Sequence, residues 1–188
     1  MAANKVQFGI KNLHYATITN TGGVISYGTI TAVPGSVSIS LDMAGSIDPF
    51  YADNQIYYNS VSNNGYTGTL ELAKVTDKML EDIFGYTLEA TDKVLTEDAT
   101  VEPKAVALLF EIDGDNQDEK YLFYNVTLSR PHIGSATTTD TKDVQTQSID
   151  FSAIPSIDTN AANITLARTT DATPSGITST WYTTIWTP

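Results

Sequence analysis

Residues 104–130 read KAVALLFEIDGDNQDEKYLFYNVTLSR, and the fold turns on how they pair. Residues 104–113 (KAVALLFEID) form the most hydrophobic strand candidate in the chain. The polar run 113–119 turns it into a second candidate at residues 120–130 (KYLFYNVTLSR). Two apolar runs joined by a short turn containing Gly and Asp make a β-hairpin, and its apolar content places it at the centre of a sheet.

Outward from this hairpin the pattern stays β. Residues 6–19 (VQFGIKNLHYATIT) put Phe8, Ile10 and Leu13 on one face, with a slip in the alternation near Asn12 of the kind a bulge produces. Thr21-Gly22-Gly23 turns the chain into a strand at residues 24–33, which ends at Pro34-Gly35. Residues 36–41 (SVSISL) alternate Val37, Ile39 and Leu41 with serines, the mark of a strand with one buried face. Asn63-Asn64-Gly65 leads into residues 66–74, with Leu70 and Leu72 on one side. Residues 141–154 form a further strand carrying Ile149, Phe151 and Ala153, while residues 88–103 read as loop. One helix is expected, Asp77–Phe84. Thr76 is its N-cap, Asp77 sits at the positive end of its dipole, Met79, Leu80, Ile83 and Phe84 are its apolar stripe, and Gly85 is its stop. The stripe is spaced to pack onto a sheet.

Composition agrees. The chain of 188 residues has 28 Thr, 10 Tyr and 12 Gly with 17% charged residues, a makeup suited to pleated strands and turns and poor for a helical bundle. The expected class is mainly β, a β-rich α+β fold. Lys and Arg number 10 against 22 Asp and Glu, a net charge of −12. Gripping nucleic acid by its phosphates requires clustered basic residues, so that class of function is excluded. Without Cys there are no disulfides, thiolate zinc sites, iron–sulfur clusters or Cys nucleophiles. The N-terminal residues lack the apolar stretch of a secretory signal, and no window approaches 18 apolar residues. The expectation is a soluble protein made in a cytoplasm, with no membrane partner.

The catalytic equipment is thin. His14 and His132 are the only neutral-pH bases, neither in a recognisable motif, and no Ser lies in G-x-S-x-G. The carboxylates show no spacing that singles out a glycosidase pair. Asp113-Gly114-Asp115-Asn116-Gln117-Asp118 begins like a calcium loop, but Asp118 stands where the turn Gly belongs and Tyr124 where the bidentate Glu belongs; a hairpin tip explains it better. No enzyme, metal site or cofactor is expected.

What remains is aromatic. Residues 47–58 (IDPFYADNQIYY) carry four of the sixteen Tyr and Phe residues, Phe50, Tyr51, Tyr57 and Tyr58, among turn residues, as an extended loop or β-arm does. After Pro155 the chain turns rich in Thr, Asn, Ala and Ser, too poor in apolar mass for a core of its own, and ends WYTTIWTP with both tryptophans, Trp181 and Trp186. Arms that cannot bury their aromatics at home can bury them on a neighbour. The chain therefore divides into a β-domain at 1–154, with a projecting loop at 47–61, and a C-terminal arm at 155–188.

NKVQFGIKNLHYA at the start, FYADNQIYY, NNGYTGTLELAKVTDKMLEDIFGY, EPKAVALLFEIDGDNQDEKYLFYNVTLSRP, QTQSIDFSAIP and the closing W-Y-x-x-I-W-x-P resemble, in order, the major tail proteins of long-tailed, non-contractile bacteriophages. The resemblance covers residues 4–154 and the last residues, and is weakest over 155–179. It implies a tail-tube subunit: two packed antiparallel β-sheets in a sandwich- or barrel-like fold, flanked by one helix. Six copies would close into a ring, and rings would stack into a hollow virion tail tube assembled in the host cytoplasm. The implied partners are a tape measure protein in the lumen, a tail terminator and a distal tail protein at the ends, and DNA passing through without specific binding. On this reading Phe50-Tyr51-Ala52-Asp53-Asn54 resembles the family's loop between rings. Phe50, Tyr51, Tyr57, Tyr58, Trp181 and Trp186 are then the expected assembly contacts, and an acidic lumen would repel phosphates and keep DNA sliding. Some members of the family carry an extra immunoglobulin-like domain, which this chain is expected to lack. The alternatives left open are a terminator or connector ring protein and a carbohydrate-binding β-sandwich of a tail tip.

Overall fold

Thirteen strands and two helices succeed one another in the computed structural model, which describes residues 4–137 and 143–188. They are β1 (Gln7–Thr21), β2 (Val24–Tyr27), β3 (Thr31–Ala32), β4 (Ser36–Met43), β5 (Ile47–Ala52), β6 (Gln55–Val61), β7 (Tyr66–Leu72), α1 (Asp77–Phe84), β8 (Thr87–Leu88), β9 (Leu95–Thr96), β10 (Val106–Gly114), β11 (Glu119–Leu128), β12 (Gln147–Ile154), β13 (Leu166–Arg168) and α2 (Ser175–Thr180). Nine strands form one antiparallel sheet in the order β2-β1-β10-β11-β12-β7-β4, with β3 added to β1 and β13 to β11. The fold is mainly β, as composition and alternation predict.

The β10–β11 hairpin sits in the middle of this order because it is apolar on both faces. Val106, Leu108 and Phe110 face one core and Ala107 and Leu109 the other, so the run shows no alternation. In the first core they meet Leu13 and Tyr15 of β1, Leu70 and Leu72 of β7, Ile149 and Phe151 of β12, and Met79, Ile83 and Phe84 of α1. Strands far apart in the hydrogen-bonded order thus share one interior, and β1 approaches β4 across it. All nine strands belong to one continuous hydrogen-bonded sheet, in which β1, next to one end, and β4, at the other, approach each other. β11 pairs with β10 from Glu119 to Val126 and with β12 from Asn125 to Leu128.

The helix forms at the bounds the sequence sets. Thr76 Oγ1 accepts from Met79 N–H at 3.3 Å, and Gly85 closes the last turn at φ 71° with its N–H on Leu80 O. The slip expected near Asn12 is also present: β1 shifts register against β10 between Lys11 and His14, and Asn12 takes φ 52°. That same irregularity defeats the expected face, for Leu13 is buried while Phe8 is 71% exposed. The strand expected at 24–33 is broken into β2 and β3. At Gly28, between them, an added Cβ would collide with Thr17 Oγ1. The segment expected as loop at 88–103 contributes a two-residue ladder, with β9 on β8. Of the strand expected at 141–154, residues 147–154 form β12, and Thr141 and Lys142 lie outside the described residues.

Residues 155–188 do more than trail along the surface. They supply β13 to the central sheet, a single 3-10 turn at Thr159–Ala161, and α2, and they cover the second face of β1, β10 and β11. Ala161, Trp181 and Ile185 close this core over Ala16, Ala107, Leu109, Leu122 and Tyr124. No helix among the described residues is long and apolar enough to cross a membrane.

Candidate interaction surface

Residues 47–61 form a two-stranded ribbon outside the main sheet. It prolongs the β4–β7 pairing: after Met43 opposite Tyr66, Ala44 N–H donates to Gly65 O at 2.9 Å and Asn64 N–H to Ala44 O at 2.7 Å. Ser46 and Ser62 then clamp the root, with Ser46 N–H on Ser62 Oγ at 3.0 Å and Ser62 N–H on Ser46 O at 2.9 Å. Two glycines make the crossing possible. A Cβ at Gly45 would strike Ser62 O, and one at Gly65, where φ is +93°, would strike Ala153 O. At the far end Asp53 (φ 51°) and Asn54 (φ 60°) make the two-residue turn, both left-handed, which suits strand twist.

Nothing among the described residues covers this ribbon. Every residue of 47–61 in the two strands is exposed except half-buried Ala52, and Tyr57 reaches 72%. The register puts Phe50 opposite Tyr58, and Tyr51 opposite Ile56, with a bulge between the pairs. Successive pairs face opposite ways, so both faces are apolar. An isolated two-stranded hairpin is marginal in water. Burying one Phe- or Leu-sized side chain is worth about 1.5–3 kcal/mol, so the gain available on contact with another surface is large.

No protein-family model matches the chain, and no curated protein matches it.

The structure separates the six aromatics singled out in the sequence. Phe50, Tyr51, Tyr57 and Tyr58 are all on the ribbon and exposed, whereas Trp181 is 3% exposed in the second core and Trp186 is half-buried beside it. The premise that both tryptophans lack a home does not hold for Trp181. The arm's apolar residues Ile177, Trp181 and Ile185 recur every four positions and meet one seam, a signal hidden among threonines. Sequence reading also passed over Ile47, Ile56 and Val61, which join the aromatics as exposed apolar residues of the ribbon.

The polar groups tested for chemistry are built into structure. His14 stacks on Tyr182 at 4.4 Å with its Nδ1 2.8 Å from Asn12 O, and His132 is exposed. The acidic turn between β10 and β11 folds around two cations and an amide. Lys11 Nζ lies 2.5 Å from Asp113 and 2.7 Å from Asp118, and Asn4 Oδ1 accepts the N–H groups of Asn116 and Gln117 at 3.1 and 3.0 Å. Arg168 bridges to Glu119 at 3.0 Å. Hydrogen bonding from Lys11 holds Asp118 below the ordinary carboxylate range. Buried Glu111 accepts from Tyr182 Oη and Asn12 Nδ2, both at 3.1 Å, and Tyr182 is pushed up by burial and then by the Glu111 charge. This network fastens the C-terminal arm to β1 and β10. Among the described residues no group of three or more His, Asp or Glu is arranged to hold a metal.

Proposed function

We propose that this protein is a self-assembling structural subunit, a tail-tube protein of a long-tailed, non-contractile bacteriophage, whose copies close into hexameric rings and stack into a conduit for DNA. The observation that carries the reading is the β5–β6 ribbon: a rooted, well-formed hairpin, apolar on both faces, left uncovered by the described residues of its own chain. Large exposed apolar patches mark sites of association, and a two-sided projection can engage more than one neighbour. The ordered sequence resemblance to the tail-tube family supports the narrower identification. On this reading the tape measure protein occupies the lumen during assembly, terminator and distal tail proteins close the ends, and the subunit is a virion component with no catalytic role.

Negative-stain microscopy with sedimentation velocity of the purified full chain tests it. Long hollow tubes are the expected result. Single rings that never stack would instead indicate a terminator or connector. Monomers at every concentration, with glycan binding, would indicate a carbohydrate-binding module.

A further inference from the structure

We infer that the crevice between β13 and α2 is the receptor for the β5–β6 hairpin tip of a second copy, with Tyr51 as the inserted side chain; this contact rests on the self-assembly reading above. The crevice measures about 240 Å³ and is walled by Arg168, Pro174, Ile177, Trp181 and Trp186, with Ala172 also lining it. A dry cavity of about 150 Å³ already accommodates a benzene ring, so this one has room for a phenol. Its chemistry is unfinished. The Trp181 indole N–H is buried and has no hydrogen-bond partner among the described residues, so the second core that backs the crevice is not fully satisfied in the single chain. A tyrosine brings both a ring for the Trp and Pro walls and an oxygen able to accept.

The hairpin tip supplies the complement. Tyr51 is 62% exposed, stands opposite Ile56 and adjoins the Asp53-Asn54 turn. Charge agrees with shape: residues 47–61 contain Asp48 and Asp53 and no Lys or Arg, while the crevice presents Arg168, an exposed member of the chain's ten basic residues. Arg168 donates to Glu119 from one nitrogen and lies over the Tyr121 ring at 6.0 Å, and a guanidinium has five N–H donors. A knob and a pocket on different elements of one molecule pair heterologously. Each copy then offers a knob to one neighbour and a pocket to another, and growth is open-ended. That is the geometry a stacked assembly needs.

Trp181 and Trp186 are the only tryptophans and both line the crevice, so intrinsic fluorescence of the full chain reports its occupancy directly. Three forms are compared: the unaltered chain, Tyr51→Ala, and Ala172→Phe, which fills the crevice from an exposed position. As concentration rises into the assembling range, the unaltered chain should show a blue shift of Trp emission. Each variant should need roughly tenfold or more protein to associate, the loss expected of a hot-spot side chain, with unchanged circular dichroism and melting. An equimolar mixture of the two variants, holding one intact knob and one intact pocket, should stop at dimers. Tyr51→p-benzoylphenylalanine should cross-link between chains into residues 167–186. Cross-links on any other segment or only within one chain, or variants that assemble at the unaltered concentration, would overturn the contact. Tubes that form with such cross-links leave the tube reading standing and remove the crevice. Crevice cross-links in short chains that never become tubes leave the crevice standing and remove the tube.

Discussion

Lys11 reaches the tip of the central hairpin from β1 and holds Asp113 and Asp118 there. Its ammonium is raised from its ordinary 10.5, chiefly by the hydrogen bonds to Asp113 and Asp118, and Asp118 is lowered from its ordinary 3.8, chiefly by the bond from Lys11. A raised cation contributes stability that is complete below its unfolded value and is lost only as pH climbs past it. A depressed carboxylate contributes stability that is complete above its unfolded value and is lost as pH falls toward its folded one. The pair should therefore leave stability flat across neutral pH and weaken it below about pH 4, near the carboxylate's ordinary value, and again above about pH 10.5, the ammonium's ordinary value. Lys11→Met should cost about 1 kcal/mol at pH 7, since both partners are two-fifths exposed and screened by solvent, and should flatten the acid limb. Urea unfolding followed from pH 7 to pH 3 checks both. Tyr182→Phe removes a donor from buried Glu111 and should cost about 1–3 kcal/mol, read from the same titration. Gly65→Ala forces a side chain against the Ala153 carbonyl at a left-handed φ; a loss of about 2–3 kcal/mol in unfolding free energy is expected.

At the scale of elements the ribbon and the sheet should respond independently. Replacing Phe50 and Tyr58 together by Ser removes exposed side chains that face each other and no core. Surface changes of this kind stay within about 0.5 kcal/mol per site, so the melting temperature should hold while tube formation disappears by microscopy; tubes of normal length would remove the ribbon from assembly. Trp181→Ala should behave in the opposite way, with a loss of about 3–5 kcal/mol from the second core, measured by chemical unfolding before assembly is assessed. These elements also show what the residues alone could convey. α1 was legible to the residue because its signals are local: a Thr cap, a four-residue stripe and a Gly stop. The β10–β11 hairpin and the projecting 47–61 segment were legible because runs of apolar residues and turn residues adjoin in sequence. The C-terminal arm was not, because β13, α2 and Trp181 gain their apolar surroundings only from β1, β10 and β11, far away in the chain. Nor were β8 and β9, each two residues long, which no periodicity can reveal, or the break that separates β3 from β2.

For the whole molecule the governing quantity is charge. Each copy brings −12 at neutral pH, and every added copy meets the charge of those before it. The contacts available to oppose this repulsion are mostly apolar: the ribbon's Phe, Tyr, Ile and Val residues are exposed, and burial of their surface is insensitive to moderate salt. On the inferred knob-and-crevice contact, attraction between the ribbon's Asp48 or Asp53 and Arg168 would pull the other way, but a rim pair of this kind is of small worth, against a net charge spread over the whole surface. Screening should therefore favour assembly. At about 10 mM salt the Debye length is about 30 Å and copies repel over a molecular diameter; at about 1 M it is about 3 Å and only contacting groups interact. Sedimentation velocity across that range should show self-association strengthening as salt rises, with Tyr51→Ala gaining in parallel from a weaker baseline. Association that instead falls steeply with salt would mean that ion pairs hold the copies together, and the hairpin's apolar faces would lose their place at the interface.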